Sequence, residues 1–211
     1  MEKKQSYLVI SKYPLSCMVG IVIIVFCWLA VLISVILAPP SFTPLTNYLS
    51  SLGNSTYNPN GAVLYNISVI ISGILFQIFF VGLSIWYTDV FFDKVLIRGT
   101  QIIGSLLSIV LILTGVFSED FKPQHVFWSI IAGILGFVVN VFLAVYIFIQ
   151  KESNRKISYT IFILMGSYII LLFILSPQHV LTEWVVRSVG DVSLILMIYN
   201  LNHIFQERNR I

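Results

Sequence analysis

Six apolar stretches, each about as long as a bilayer is thick and joined by mostly short loops, leave this chain few ways to fold. They run roughly from Pro14 to Leu37, Ala62 to Tyr87, Val95 to Phe117, Val126 to Ile149, Ile157 to Ser176 and Val180 to Phe205. A helix of about 20 residues covers a hydrocarbon layer about 30 Å thick. In lipid such a helix satisfies its own backbone hydrogen bonds, which an open sheet or an irregular loop does not. The prediction is an all-α integral membrane protein: one six-transmembrane-helix bundle over residues 1–211, with no soluble domain. Composition agrees, because 58% hydrophobic and 10% charged residues, with a mean hydropathy of +0.95, exclude a soluble domain of 211 residues. The first stretch is too long for a signal-peptide core and lacks a clean cleavage pattern, so it is expected to be retained as a span.

Basic residues set the expected orientation. If both termini share a compartment, Lys3, Lys4, Lys12, Lys94, Arg98, Lys151, Arg155, Lys156, Arg208 and Arg210 fall on one side, and only Lys122 and Arg187 on the other. That asymmetry predicts cytoplasmic termini in a plasma-membrane protein. With Glu119, Asp120, Glu183 and Asp191 in the outer half, that half carries −2 (two basic, four acidic) and the inner half the remaining +5 of the net +3. The basic pI of about 8.9 thus reflects membrane orientation, with membrane lipids as partners and no nucleic acid.

The sixth stretch breaks the apolar pattern in a regular way. His179, Glu183, Arg187 and Asp191 follow one another at four-residue spacing. Each step turns 400° and descends about 6 Å, so the four form a slanting polar stripe whose last member lies near mid-membrane depth. Ionisable groups at that depth are expensive and mark a function more often than chance. Arg187 and Asp191 can pair at this spacing, and such a pair either glues helices or leaves a planar guanidinium fork to receive a carboxylate or phosphate head.

The loop over residues 38–61 is the one long connection, and it carries no charge. Its Leu45, Tyr48, Leu49 and Leu52 form an apolar stripe that suits a short interfacial helix, either a lid over the bundle or a passive connector. Pro123-Gln124-His125-Val126 and Pro177-Gln178-His179-Val180 repeat one tetrapeptide at the mouths of the fourth and sixth helices, placing two histidines at equivalent depths. Cys17 and Cys27, about 15 Å apart on one helix, cannot bridge and read as core. Trp86, Trp128 and Trp184 lie near helix ends, as an aromatic belt requires, whereas Trp28 is mid-helix and expected inside the bundle. Gly99, Gly104, Gly115, Gly133 and Gly136 permit close helix approach, within one subunit or in a homo-oligomer.

The run Asn47-Tyr48-Leu49-Ser50-Ser51-Leu52-Gly53, the Asn58-Pro59 pair, Tyr65-Asn66 leading to Ile71-Ser72-Gly73, and Gly115-Val116-Phe117-Ser118-Glu119-Asp120 followed by His125 resemble the prokaryotic membrane family called domain of unknown function 998. Ser118 stands where that pattern has proline. The resemblance, with many archaeal and bacterial members, implies six helices and a polar outer cluster and brings no established activity.

The resulting candidates are Glu119, Asp120, His125, His179 and Glu183 for acid, base or nucleophile chemistry, and Asn47, Asn58, Asn66, Arg187 and Asp191 for ligand binding. Histidines beside carboxylates can activate a water directly or through a divalent metal. With only two histidines on that side, because His203 falls at the opposite end, metal is not favoured. The expected protein binds a lipid head group or small amphiphile in an outward-opening polar cavity and acts, if it is an enzyme, as a membrane-embedded hydrolase or transferase. A small transporter or ion-coupled carrier using Arg187 and Asp191, and a non-catalytic assembly partner, are the alternatives.

Overall fold

The computed structural model describes residues 9–10, 13–175 and 179–209. Lys3, Lys4, Lys12 and Arg210 of the basic set, and Pro177 and Gln178 of the repeated tetrapeptide, lie outside the described residues. Among those described there are six α-helices: α1 Leu15–Leu37, α2 Ala62–Gly82, α3 Phe91–Val116, α4 Lys122–Ile149, α5 Arg155–Leu175 and α6 Val180–Arg208. Ahead of them β1, Val9–Ile10, pairs antiparallel with β2, Tyr13–Pro14.

The helix limits follow local chemistry. α1 stops before Pro39 and Pro40, which cannot continue it. α4 carries Pro123 in its first turn, where the missing amide has no helical partner. The third, fourth and sixth helices outrun the expected stretches by several residues, because the helix continues through the charged ends that an apolar scan trims. α2 tightens into a 3-10 turn over Leu83–Trp86. Gln101 of α3 donates its amide to the carbonyls of Phe80 and Val81, at 3.0 and 3.1 Å, which also receive the Leu83 amide where the winding changes.

Among the described residues four helices are long and apolar enough to cross a membrane: Leu15–Leu37, Ala62–Trp86, Phe91–Val116 and Glu119–Ile149. The chain is thus all-α, and its apolar helices mark it as membrane-embedded. α6 is longer than most of these but diluted by Glu183, Arg187, Asp191, Asn200, Asn202 and His203.

α2 packs against both α1 and α3, and α3 in turn against α4. The approach of α2 to α3 needs residues without side chains. A Cβ at Gly73 would lie 2.8 Å from the Ser108 carbonyl oxygen, and one at Gly104 would lie 2.4 Å from the Phe80 ring. Phe79, Phe80, Leu83, Ile97 and Ile23 fill the core between these helices. Trp86 differs from its expected place in an aromatic belt: it is fully buried, donates Nε1 to the Leu201 carbonyl at 3.4 Å, and accepts the Tyr146 hydroxyl on its own carbonyl at 2.9 Å. With both partners inside the bundle, no interfacial position is needed.

At the end of the bundle away from the 38–61 loop, the chain ties α4, α5 and α6 together. Buried Asn200 of α6 accepts from the Asn154 amide at 2.9 Å and donates to Ser153, Asn154 and Ser158 at the start of α5. Arg208 donates to Gln150 at 2.6 Å and lies 3.7 Å from Glu152.

Candidate functional site

The 38–61 loop folds as a strap across one end of the bundle. Its apolar stripe divides: Leu49 and Leu52 are buried with Phe42, while Leu45 is exposed. A 3-10 turn covers Ser50–Gly53. Phe42 meets the edges of Tyr57 and Trp184, both at 6.3 Å between centroids, and Val31, Val35 and Tyr65 close the cluster below. Trp184 donates its indole N–H to the Asn47 carbonyl at 2.9 Å, so it holds the strap rather than facing a membrane interface.

Three carboxylates fasten the strap. Glu183 of α6 accepts from the Ser50 amide at 3.0 Å and the Ser50 hydroxyl at 3.2 Å. Glu119 and Asp120, in a 3-10 turn between α3 and α4, accept from the Ser51 hydroxyl at 3.4 Å and the Ser55 amide at 2.9 Å. The Ser118 hydroxyl donates to Asp120 at 3.1 Å and so orients the second carboxylate. Because one anchor is on α6 and the other two precede α4, the strap runs over the space between these helices.

The expected asparagines are scaffold here. Buried Asn58 donates to the Ser34 and Leu52 carbonyls and accepts from the Gly61 amide, joining α1, the strap and the start of α2. Asn66 of α2 donates to the Gly53 carbonyl at 2.9 Å, and a Cβ at Gly53 would sit 2.3 Å from the Asn66 oxygen. Asn47 accepts from the Thr43 amide and the Thr46 hydroxyl, closing its own turn.

The two histidines serve helix ends. Buried His125 places Nδ1 2.9 Å from the Phe117 carbonyl, at the end of α3. His179 caps α6 by accepting the Leu181 amide on Nδ1 at 3.2 Å. These local bonds account for both without a shared reaction centre, and among the described residues no three His, Cys, Asp or Glu side chains gather closely enough to hold a metal ion.

One turn below Glu183, Arg187 and Asp191 form the ion pair expected from their spacing, Nε to Oδ2 at 2.6 Å. Sequence reading missed its third member. Trp28 of α1 donates Nε1 to the same Oδ2 at 2.9 Å, and the signal for it was an indole placed mid-membrane, where a buried N–H seeks a partner. Arg187 also meets the Cys27 side chain, which lies 2.8 Å from the Ser72 hydroxyl, and Ser72 in turn donates to the Ser68 carbonyl. Tyr65 lies within electrostatic reach of Glu183, Arg187 and Glu119 and links the strap layer to the pair.

Arg187 and Asp191 line a cavity of about 280 Å³. Phe76, Phe79 and Phe80 of α2 and Leu107 and Leu111 of α3 form its apolar back wall. Its sides are α4, through Gly133, Gly136 and Asn140, α6, through Val186, Gly190 and Ser193, and α5, through Met165. The structure thus has two layers: carboxylates tie down the strap and histidines hold the helix ends beside it, while the ion pair borders an apolar space beneath, as the stripe's depth led one to expect. A guanidinium carries five N–H donors, and the contacts to Asp191 and Cys27 engage only part of that set. An apolar cavity with one charged wall is suited to a ligand with a polar head and an apolar body.

No curated protein and no solved structure matches this chain. The model of a protein family of unknown function, DUF998, matches residues 21–199. That stretch covers the strap, both histidines, the acidic turn and the ion pair, and the chain belongs to the DUF998 family.

Proposed function

We propose that this protein is a six-span membrane protein, both termini cytoplasmic, that binds a membrane amphiphile with an anionic head in the cavity between α2, α3, α4 and α6. The observation that carries this reading is an arginine–aspartate pair set in the wall of an otherwise apolar, aromatic-backed cavity. A pair needed only as glue would be enclosed by packed side chains. Arg187 offers a planar fork to a carboxylate or phosphate, and Phe76, Phe79 and Phe80 face the chain. The volume sits at the lower edge of small-ligand sites, roughly 300–1,000 Å³, which suits one head and part of one chain rather than a two-tailed phospholipid. Glu119, Asp120 and Glu183 support the strap, His125 and His179 hold helix ends, and all five enter the reading as scaffold.

The test is direct binding of a fatty acid and of the fatty alcohol of equal chain length to the purified protein, followed by native mass spectrometry. The acid binds the parent, and Arg187→Ala weakens it at least about tenfold, or ~1.4 kcal/mol. Equal binding of acid and alcohol removes the anionic head from the reading. For the topology, Asn54→Cys and Lys151→Cys are labelled from opposite sides by an impermeant reagent, with native Cys17 and Cys27 buried and silent. Labelling of both from one side contradicts six spans.

A further inference from the structure

We infer that the half of the cavity away from the strap holds a second polar subsite, formed by Ser193 of α6 and Asn140 of α4, and that the amphiphile it selects carries a mid-chain hydroxyl as well as an anionic head. This rests on the amphiphile-binding reading and narrows its ligand class.

Ser193 departs from the other hydroxyls inside the bundle. Ser72 of α2 and Thr100, Ser108 and Thr114 of α3 each donate to the carbonyl four residues earlier, at between 2.6 and 2.9 Å. That bond lets a hydroxyl lie among apolar side chains without a partner on another helix. Ser193 is only 3% exposed and lines the cavity, yet among the described residues its hydroxyl has no hydrogen-bond partner. Alanine would spare the fold the desolvation of that group.

Asn140 repeats the pattern. One N–H of its amide goes to the Gly136 carbonyl of its own helix at 2.8 Å, and its oxygen receives no donor among the described residues, on a side chain that also lines the cavity. The two groups lie at similar depth. Ser193 is about 9 Å beyond Arg187 along α6. Arg208 of α6 reaches Gln150 of α4, and counting ten residues back on each helix sets Asn140 beside Ile198, about 8 Å past Ser193. The bond to Gly136 turns the Asn140 amide back towards Ser193.

Around them the wall is apolar: Val139 and Leu143 of α4, Met165 of α5 and Met197 of α6 are all buried. The group that completes such a site must both donate and accept. A hydroxyl does so, giving its proton to Asn140 Oδ1 and taking the Ser193 hydroxyl on its oxygen, whereas a ketone leaves the amide oxygen unpaired and a methylene leaves both. A site built around a ligand hydroxyl rejects the analogue that lacks it, because its own polar groups then stay unpaired.

The test sets stearic acid against stearic acid hydroxylated at mid-chain, and against the acid hydroxylated beside its carboxylate, in competition for the purified protein followed by native mass spectrometry. The parent prefers the mid-chain hydroxy acid to stearic acid at least about tenfold, and the acid hydroxylated beside its head gains no such preference. Ser193→Ala and Asn140→Leu each bring that preference to within about twofold of unity. Because the ratio is read, a change in binding common to both acids cancels. With no acid added, Ser193→Ala melts no lower than the parent, since the hydroxyl it removes has no partner in the fold. A lower Tm makes Ser193 a packing residue and overturns the subsite. A parent indifferent to the mid-chain hydroxyl, an equal preference for both hydroxy acids, or a preference that survives either variant overturns it too. If Arg187→Ala weakens the binding of none of the acids, the amphiphile-binding reading itself fails, which is a separate outcome from a lost preference among acids that still depend on Arg187.

Discussion

The two halves of the bundle solve the helix-packing problem in opposite ways. Between α2 and α3 the glycines are filled by their neighbours: Gly73 faces the Ser108 backbone, Gly104 faces the Phe80 ring and Gly115 faces the Asn66 carbonyl, all at distances that leave no room for a methyl group. In the strap-end halves of α4, α5 and α6, a Cβ at Gly133, Gly166 or Gly190 meets no atom within 4 Å among the described residues. Identical residues thus mark close contact in one region and a cavity wall in the other. Without a hydrophobic drive between helices in lipid, packing and hydrogen bonds decide which helices close up. The α1–α3 block closes by backbone contact. The α4–α6 half is tied at its far end through Asn200 and Arg208, and its ion pair borders the cavity.

The largest effect expected from this contrast is at Gly73. Gly73→Leu drives a side chain into the α3 backbone and costs at least about 3 kcal/mol, since overpacking against a main chain has no soft way to relax. Loss of the folded fraction in size-exclusion chromatography of the detergent-solubilised protein checks it, and parent-like behaviour breaks the picture of a closed block. Next comes the ion pair. Arg187→Ala leaves Asp191 with Trp28 as its donor, so thermal unfolding reports a loss of about 3 kcal/mol, the lower end for one-sided removal of a buried pair. A loss below about 1 kcal/mol means that water already solvates the pair.

Trp28→Phe sharpens the same point on the other partner. It keeps an aromatic ring but loses the indole's second ring and one hydrogen bond to a charged group, so a loss of at least about 1.5 kcal/mol is expected, with weaker binding of an anionic amphiphile. No change in either quantity removes Trp28 from the account. The smallest effect belongs to Gly166→Ala, where open space receives a methyl group and the helix gains backbone order: stability changes by under about 1 kcal/mol and rises. A clear loss there means that the α4–α6 half is packed after all.

Much of this was legible in the sequence because membrane solvent simplifies it. Apolar length placed the helices, and four-residue spacing gave the Arg187–Asp191 pair. The polar residues expected at one outer site each take up a hydrogen bond that no spacing in the sequence announces. Asn58 and Asn66 satisfy backbone carbonyls at a sharp chain reversal, and Glu119, Asp120 and Glu183 satisfy serines, all needs that arise only once the strap has crossed the bundle. Phe42 gave no periodic signal, since it packs through an irregular turn. Trp28 was read as core packing, and its partner is 163 residues away on another helix. The cavity was invisible for the same reason: glycines at helix spacing look alike whether a neighbour fills them or not.

The central claim is that Arg187 serves a ligand as well as a fold, and the double variant Arg187→Ala, Asp191→Ala tests it most directly. Removing both partners leaves no abandoned charge, so thermal stability returns to within about 1 kcal/mol of the parent, whereas the single Arg187→Ala variant stays well below it. The measurement is fatty-acid binding by that restored double variant. The account predicts a stable protein whose affinity for the anionic amphiphile remains at least about tenfold reduced. A stable double variant that binds as the parent does would contradict it and leave the pair as helix glue.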